Sequence, residues 1–129
     1  HGKDLTIVAT GIMVYKARQV ADKLAADGIE VTIIDPRTIS PLDIKPVLAS
    51  VEETGRLMVV QEGPKHAGFI NEVIVQVTES SAFGSLIAPI KRLAGLDIPI
   101  PYAPQLEKAA VPQVEDIEAA AREIVKNWR

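Results

Sequence analysis

At 129 residues with a formal net charge of −3, a pI near 5.4 and no basic stripe, the chain lacks the electrostatic footprint of a nucleic-acid binder. It has no cysteine, which excludes disulfides, thiolate metal sites and a cysteine nucleophile, and points to a cytoplasmic protein. No apolar run approaches the ~20 residues that span a bilayer, and His1-Gly2-Lys3-Asp4 is not a signal-peptide pattern, so neither nucleic acid nor membrane is expected as a partner.

The length suits one domain over residues 1–129, burying roughly two thirds of the surface of its unfolded chain. Aromatics are 4% against 47% hydrophobic residues, so aliphatic side chains must supply the core, as in strands covered by helices on both faces. The first strand follows the start of the chain almost at once, which suggests a piece of a longer polypeptide.

Leu5 to Ala9 is a near-continuous apolar run of the kind found in buried parallel strands, ended by Thr10-Gly11. From Met13 the spacing turns helical: Met13, Ala17, Val20, Ala21 and Leu24 share a face, and Gly28 stands at C′. Val31 to Ile34 is the second strand, closed by Asp35-Pro36. Pro46 then fixes the start of the next helix. With Asp43 as N-cap, Pro46 falls in the first turn, where a missing N–H is harmless; a start at Ser40 would put it in the interior at about 3 kcal/mol. Ile44, Val47, Leu48 and Val51 form that helix's apolar stripe, and Gly55 stops it.

Leu57 to Gln61 is the third strand, running into Glu62-Gly63-Pro64-Lys65-His66-Ala67-Gly68, a turn that opens the next helix. Function in open α/β sheets sits at such strand ends, so Glu62, Lys65 and His66 are the titratable cluster whose position suggests a role. Between Phe69 and Thr78 β-branched residues favour a strand, but Phe69, Ile70, Val73, Ile74 and Val77 recur at three and four, and periodicity predicts a helix. Ala88 to Leu93 reads as a fourth strand opened by Pro89. Pro99, Pro101, Pro104 and Pro112 stiffen an extended crossing, and a last amphipathic helix turns Val114, Ile117, Ala120, Ala121, Ile124 and Val125 inward. Trp128 and Tyr102 read as core or edge packing. The expected fold is therefore three-layer α/β/α with a mostly parallel open sheet of order 2-1-3-4, its switch point beside Thr10-Gly11 and Glu62-Gly63.

The residues carry no dinucleotide or P-loop glycine run, no acidic pair for phospho-acceptance and no Ser/His/Asp constellation. Glu62 and His66 stand four apart across a Gly-Pro turn without a third ligand, so the bland reading, a surface histidine beside a loop carboxylate, outweighs a metal site. Lys65-His66 could meet an anionic partner or a neighbouring subunit. An α/β module that binds an anion or small ligand at the Thr10-Gly11 and Glu62-Gly63 ends stays open as an alternative.

Four ordered blocks carry a family resemblance. Gly2-Lys3-Asp4-Leu5-Thr6-Ile7-Val8, Ile34-Asp35-Pro36-Arg37-Thr38-Ile39-Ser40-Pro41-Leu42-Asp43, Val60-Gln61-Glu62-Gly63-Pro64, and Pro101-Tyr102-Ala103-Pro104 with Val111-Pro112-Gln113-Val114-Glu115-Asp116-Ile117 resemble the C-terminal domain of the beta subunit of thiamine-diphosphate-dependent 2-oxoacid dehydrogenases. Pyruvate, branched-chain and acetoin dehydrogenases share that domain, and transketolases carry a related one. The resemblance implies an assembly role: homodimer contacts, the alpha subunit and, in several members, the acyltransferase core. It implies no catalytic, cofactor or metal residue here, because thiamine diphosphate and Mg²⁺ lie between the alpha subunit and the beta subunit's N-terminal domain. Glu62, Lys65, His66, Ile87 and Tyr102 are the residues it leaves as interface candidates.

The chain departs from the family pattern twice. Ala67-Gly68-Phe69-Ile70 replaces a usual Gly-Gly-x-Gly run, and Ile87 stands where acyltransferase-binding relatives often place an acid, which removes a partner for a basic surface. An acetoin- or transketolase-like member, including a split transketolase, or another docking mode, remains open.

Overall fold

The computed structural model describes residues 2–36, 44–64, 69–95 and 111–128. In chain order they form β1 (Leu5–Ala9), α1 (Ile12–Ala26), β2 (Val31–Ile34), α2 (Lys45–Thr54), β3 (Leu57–Pro64), α3 (Phe69–Thr78), a 3₁₀ turn (Ser81–Ser85), β4 (Lys91–Gly95) and α4 (Val114–Asn127). The strands make one parallel sheet in the order β2-β1-β3-β4, as the sequence predicts.

Side-chain alternation along the strands divides the core in two. Leu5, Ile7 and Ala9 of β1 and Met58 and Val60 of β3 pack with Met13, Ala17, Val20 and Leu24 of α1 and with Ile117, Ala121 and Ile124 of α4. Val8 of β1 and Leu57 and Val59 of β3 face the other way, against Val47 and Val51 of α2, Val73 and Val77 of α3, and Ala82. The two central strands are therefore apolar on both faces, which is why they read as continuous hydrophobic runs. Within those runs the polar residue is Thr6, fully buried beneath α2. Its Oγ1 lies 2.6 Å from Ser50 Oγ and 2.8 Å from Thr54 Oγ1, and Thr54 in turn donates to the Arg56 carbonyl at 3.0 Å.

Periodicity wins over β-propensity in α3, which is helical over the predicted span with Val73 and Val77 buried. Three boundaries move. The α2 cap is Ile44 rather than Asp43, which lies outside the described residues; Pro46 still occupies the first turn. β3 continues past Gln61 to Pro64 because a bulge lets it: Val60 pairs with Leu93 and Pro64 with Gly95, so four steps along β3 oppose two along β4. β4 starts at Lys91 rather than Ala88, since Pro89 offers no ladder N–H and the segment before it is held by other bonds. In α1, Val14 is buried and Ala21 is only half-buried, a small rotation of the predicted stripe.

Surface links tie the outer helices together. Arg122 of α4 reaches Asp27 at 2.8 Å and Glu118 at 3.0 Å, and Lys16 of α1 donates to the Pro112 carbonyl at 2.8 Å. Hydrogen bonding to Asp27 first, and then to Glu118, raises the Arg122 guanidinium above the usual arginine range.

Candidate functional site

Two places on the described surface stand apart from ordinary solvated polarity. The first is the C-terminal end of the sheet. Thr10-Gly11 leaves β1 there, and Gly11 takes φ +57, ψ −134, a backbone region that favours glycine. It caps α1 without any side-chain hydrogen bond, and Ile12 and Tyr15 in the first turn are 53% and 66% exposed. On β3 the bulge carries Gln61 and Glu62; Gln61 is buried and Glu62 exposed. Lys65, His66 and Tyr102 lie outside the described residues.

The second place is the opposite end of the sheet. Phe83, Leu86, Ile87, Ala88, Pro89, Ile90 and Trp128 line an apolar groove of about 410 Å³. Phe83, Ile87 and Trp128 are 55%, 48% and 45% exposed, and this gathering of large apolar side chains on open surface marks a contact site rather than a core. Ile87 is placed by its backbone: its N–H donates to the Gly55 carbonyl at 2.8 Å, just before β3 begins. Glu62 sits five residues beyond Leu57, about 16 Å along a strand. The structure thus separates Glu62 from Ile87; they cannot serve one compact site.

Sequence reasoning singled out Ile87 in this groove but passed over Phe83, which fell in a presumed break, and treated Trp128 as packing. The signal was present in the run from Phe83 to Ile90, which is apolar yet has neither a helical nor a strand period. Its partner Trp128 is distant in sequence, so composition alone does not bring the two together.

Among the described residues no group of three or more His, Cys, Asp or Glu could hold a metal ion. No described helix is long and apolar enough to cross a membrane.

Comparison with known proteins places the chain in a family. The model of the family "Transketolase, C-terminal domain" matches residues 1–117. The chain is 46% identical over 122 residues to the pyruvate dehydrogenase E1 component subunit beta-1 of Arabidopsis thaliana mitochondria, covering 95% of this chain and 33% of that one. It is 44% identical over 128 residues to the beta subunit of acetoin:2,6-dichlorophenolindophenol oxidoreductase of Cupriavidus necator, covering 99% of this chain and 38% of that one. A solved structure described as a split gene transketolase, inactive beta4 tetramer, superposes with a TM-score of 0.82 at 28% identity, covering 100% of this chain and 41% of that one. The chain spans about a third of the length of the curated relatives it matches.

Proposed function

From the premise that the chain belongs to the transketolase C-terminal domain family, we propose that it is the subunit-assembly domain of the beta subunit of a thiamine-diphosphate-dependent 2-oxoacid dehydrogenase of pyruvate dehydrogenase type. One observation carries the reading: identity of 44–46% extends over 95–99% of this chain, while the chain spans only 33–38% of those beta subunits. We read residues 1–129 as a single domain of a longer, cytoplasmic polypeptide. The whole enzyme is an oxidoreductase that carries out oxidative decarboxylation and acyl transfer to lipoyl groups. Thiamine diphosphate and Mg²⁺ would supply the carbanion chemistry from a site on other chain.

In this reading the domain holds subunits together: a second beta copy, the alpha subunit and the acyltransferase core. Glu62, Lys65, His66 and Tyr102 belong to its subunit contacts, and Ile87 to contacts at the groove. With isoleucine at that position, the groove contact rests on apolar burial, worth roughly 25 cal/mol per Å² removed from water, rather than on ion pairing. Calorimetric titration of the 129-residue chain with thiamine diphosphate and Mg²⁺ should give no heat, and sedimentation should show self-association that Ile87→Glu weakens. Tight cofactor binding by this chain would overturn the assignment.

A second reading, the C-terminal domain of a split transketolase, is favoured by the similarity to the split-gene structure. The coding sequence upstream separates the two, since only the first predicts a dehydrogenase-type pyrimidine-binding domain there.

A further inference from the structure

Arg56 is an unusual guanidinium. It is 7% exposed, in a chain whose other described cations lie at the surface or half-buried. Its Nη1 donates to the Asp4 carbonyl at 2.8 Å, while Nε and Nη2 both donate to the Trp128 carbonyl, at 3.0 and 2.6 Å. Burying a charge is unfavourable unless its donors are matched, so these carbonyls are what permits the arginine to be there.

Trp128 is the C-cap of α4. Its carbonyl is thus among the acceptors a helix leaves without intrahelical partners, at the negative end of the helix dipole. A final helical turn held only by its own backbone frays. Here a planar fork grips it from the start of β3, as a lysine's single ammonium could not. The preceding residue holds another groove residue, for the Gly55 carbonyl accepts the Ile87 N–H at 2.8 Å. The link Gly55-Arg56 therefore anchors both Ile87 and Trp128, two residues that line the apolar groove.

We infer that Arg56 is a positioning residue, a latch that fixes the last turn of α4 and sets Trp128 in the wall of the groove. The latch does not depend on what the groove binds, so it stands or falls separately from the assembly reading. A purely structural arginine would change overall stability on removal. A latch also changes the surroundings of Trp128 while the rest of the domain stays folded.

Trp128 is the only tryptophan of the chain and reports on itself by fluorescence. In the 129-residue chain, Arg56→Met should keep the far-UV circular dichroism, move Trp128 emission to longer wavelength and increase its quenching by acrylamide. Arg56→Lys should fall between that and the native chain. Arg122→Met, which removes the exposed pairs of α4 with Asp27 and Glu118, should leave Trp128 unchanged. Unaltered Trp128 emission and quenching in folded Arg56→Met would overturn the inference, as would an equal shift in Arg122→Met.

Should Arg56→Met not fold, hydrogen exchange in the native chain decides. The Trp128 amide, which donates to the Ile124 carbonyl at 3.2 Å, should exchange at least about tenfold more slowly than a frayed helix end, a factor that one charge-assisted hydrogen bond supports. Exchange at the rate of a frayed end would sink the latch.

Discussion

Thr6 is a fully buried polar residue on a central strand, and its hydroxyl is shared with Ser50 and Thr54 of α2 at 2.6 and 2.8 Å. The three groups satisfy one another, so replacing one alone leaves buried hydroxyls short of a partner. Thr6→Val should therefore lower stability by about 1–3 kcal/mol despite its matching shape, read as a fall in the urea midpoint. Val at this position together with Ala at Ser50 and Val at Thr54 should lose less than the three single costs summed, since none of the three hydroxyls is then left without the others. Gly55 poses a different constraint. At φ +71 it closes α2, and an added Cβ would stand 3.2 Å from the Ser85 carbonyl oxygen and 3.3 Å from Ile87 Cγ1. Gly55→Ala should cost about 1–2 kcal/mol from backbone conformation alone and shift the groove's Ile87 wall, visible as a lower melting temperature. Gly55 was legible as a stop signal from its place after a helical stripe. Arg56 was not: an arginine beside a turn reads as solvated, and only carbonyls 52 and 72 residues away give it a reason to be buried.

At the scale of elements, the sequence pattern was most reliable where one period dominates. In α4 the predicted inward residues Ile117, Ala120, Ala121, Ile124 and Val125 are buried and Val114 is half-buried, and Asp116 accepts from the Gln113 N–H at 2.9 Å, closing the helix start. Ile117 is fully buried in the core that α4 shares with α1, so Ile117→Ala should cost about 2–5 kcal/mol, as both transfer energy and a residual cavity count against it. Differential scanning calorimetry or urea titration would show it. The strand ends were harder to read, and for one cause. Proline normally marks a boundary, yet Pro64 is paired with Gly95 because the β3 bulge realigns the strand beyond Val60, a long-range event with no local signature. Pro89 failed in the other direction: it was read as opening β4, but the ladder waits until Lys91. The groove was half legible. Ile87 stood out, whereas its association with Trp128 required the tertiary fold.

At the scale of the whole molecule, the order β2-β1-β3-β4 followed from four strands alternating with helices and the right-handed crossover rule, and no residue detail was needed. What that order could not supply was the division of labour between the sheet's two ends. The C-terminal end, which topology marks for ligands, offers a bare helix start and an exposed Glu62. The apolar groove lies at the other end, where rules of thumb for α/β sheets place no ligand. That placement suits the assembly role we propose.

The pairing of α1 with α4 over one face of the sheet has a further consequence during synthesis. The face covered by α2 and α3 needs nothing beyond Ile90 to close, whereas Leu5, Ile7, Met58 and Val60 wait for residues near 114–127 to leave the ribosome. A nascent chain therefore carries a half-clad sheet through the whole translation of the proline-rich residues 96–112, and at roughly 5–20 residues per second that interval lasts seconds. During it, the greasy side of β1 and β3 is a natural client for chaperones.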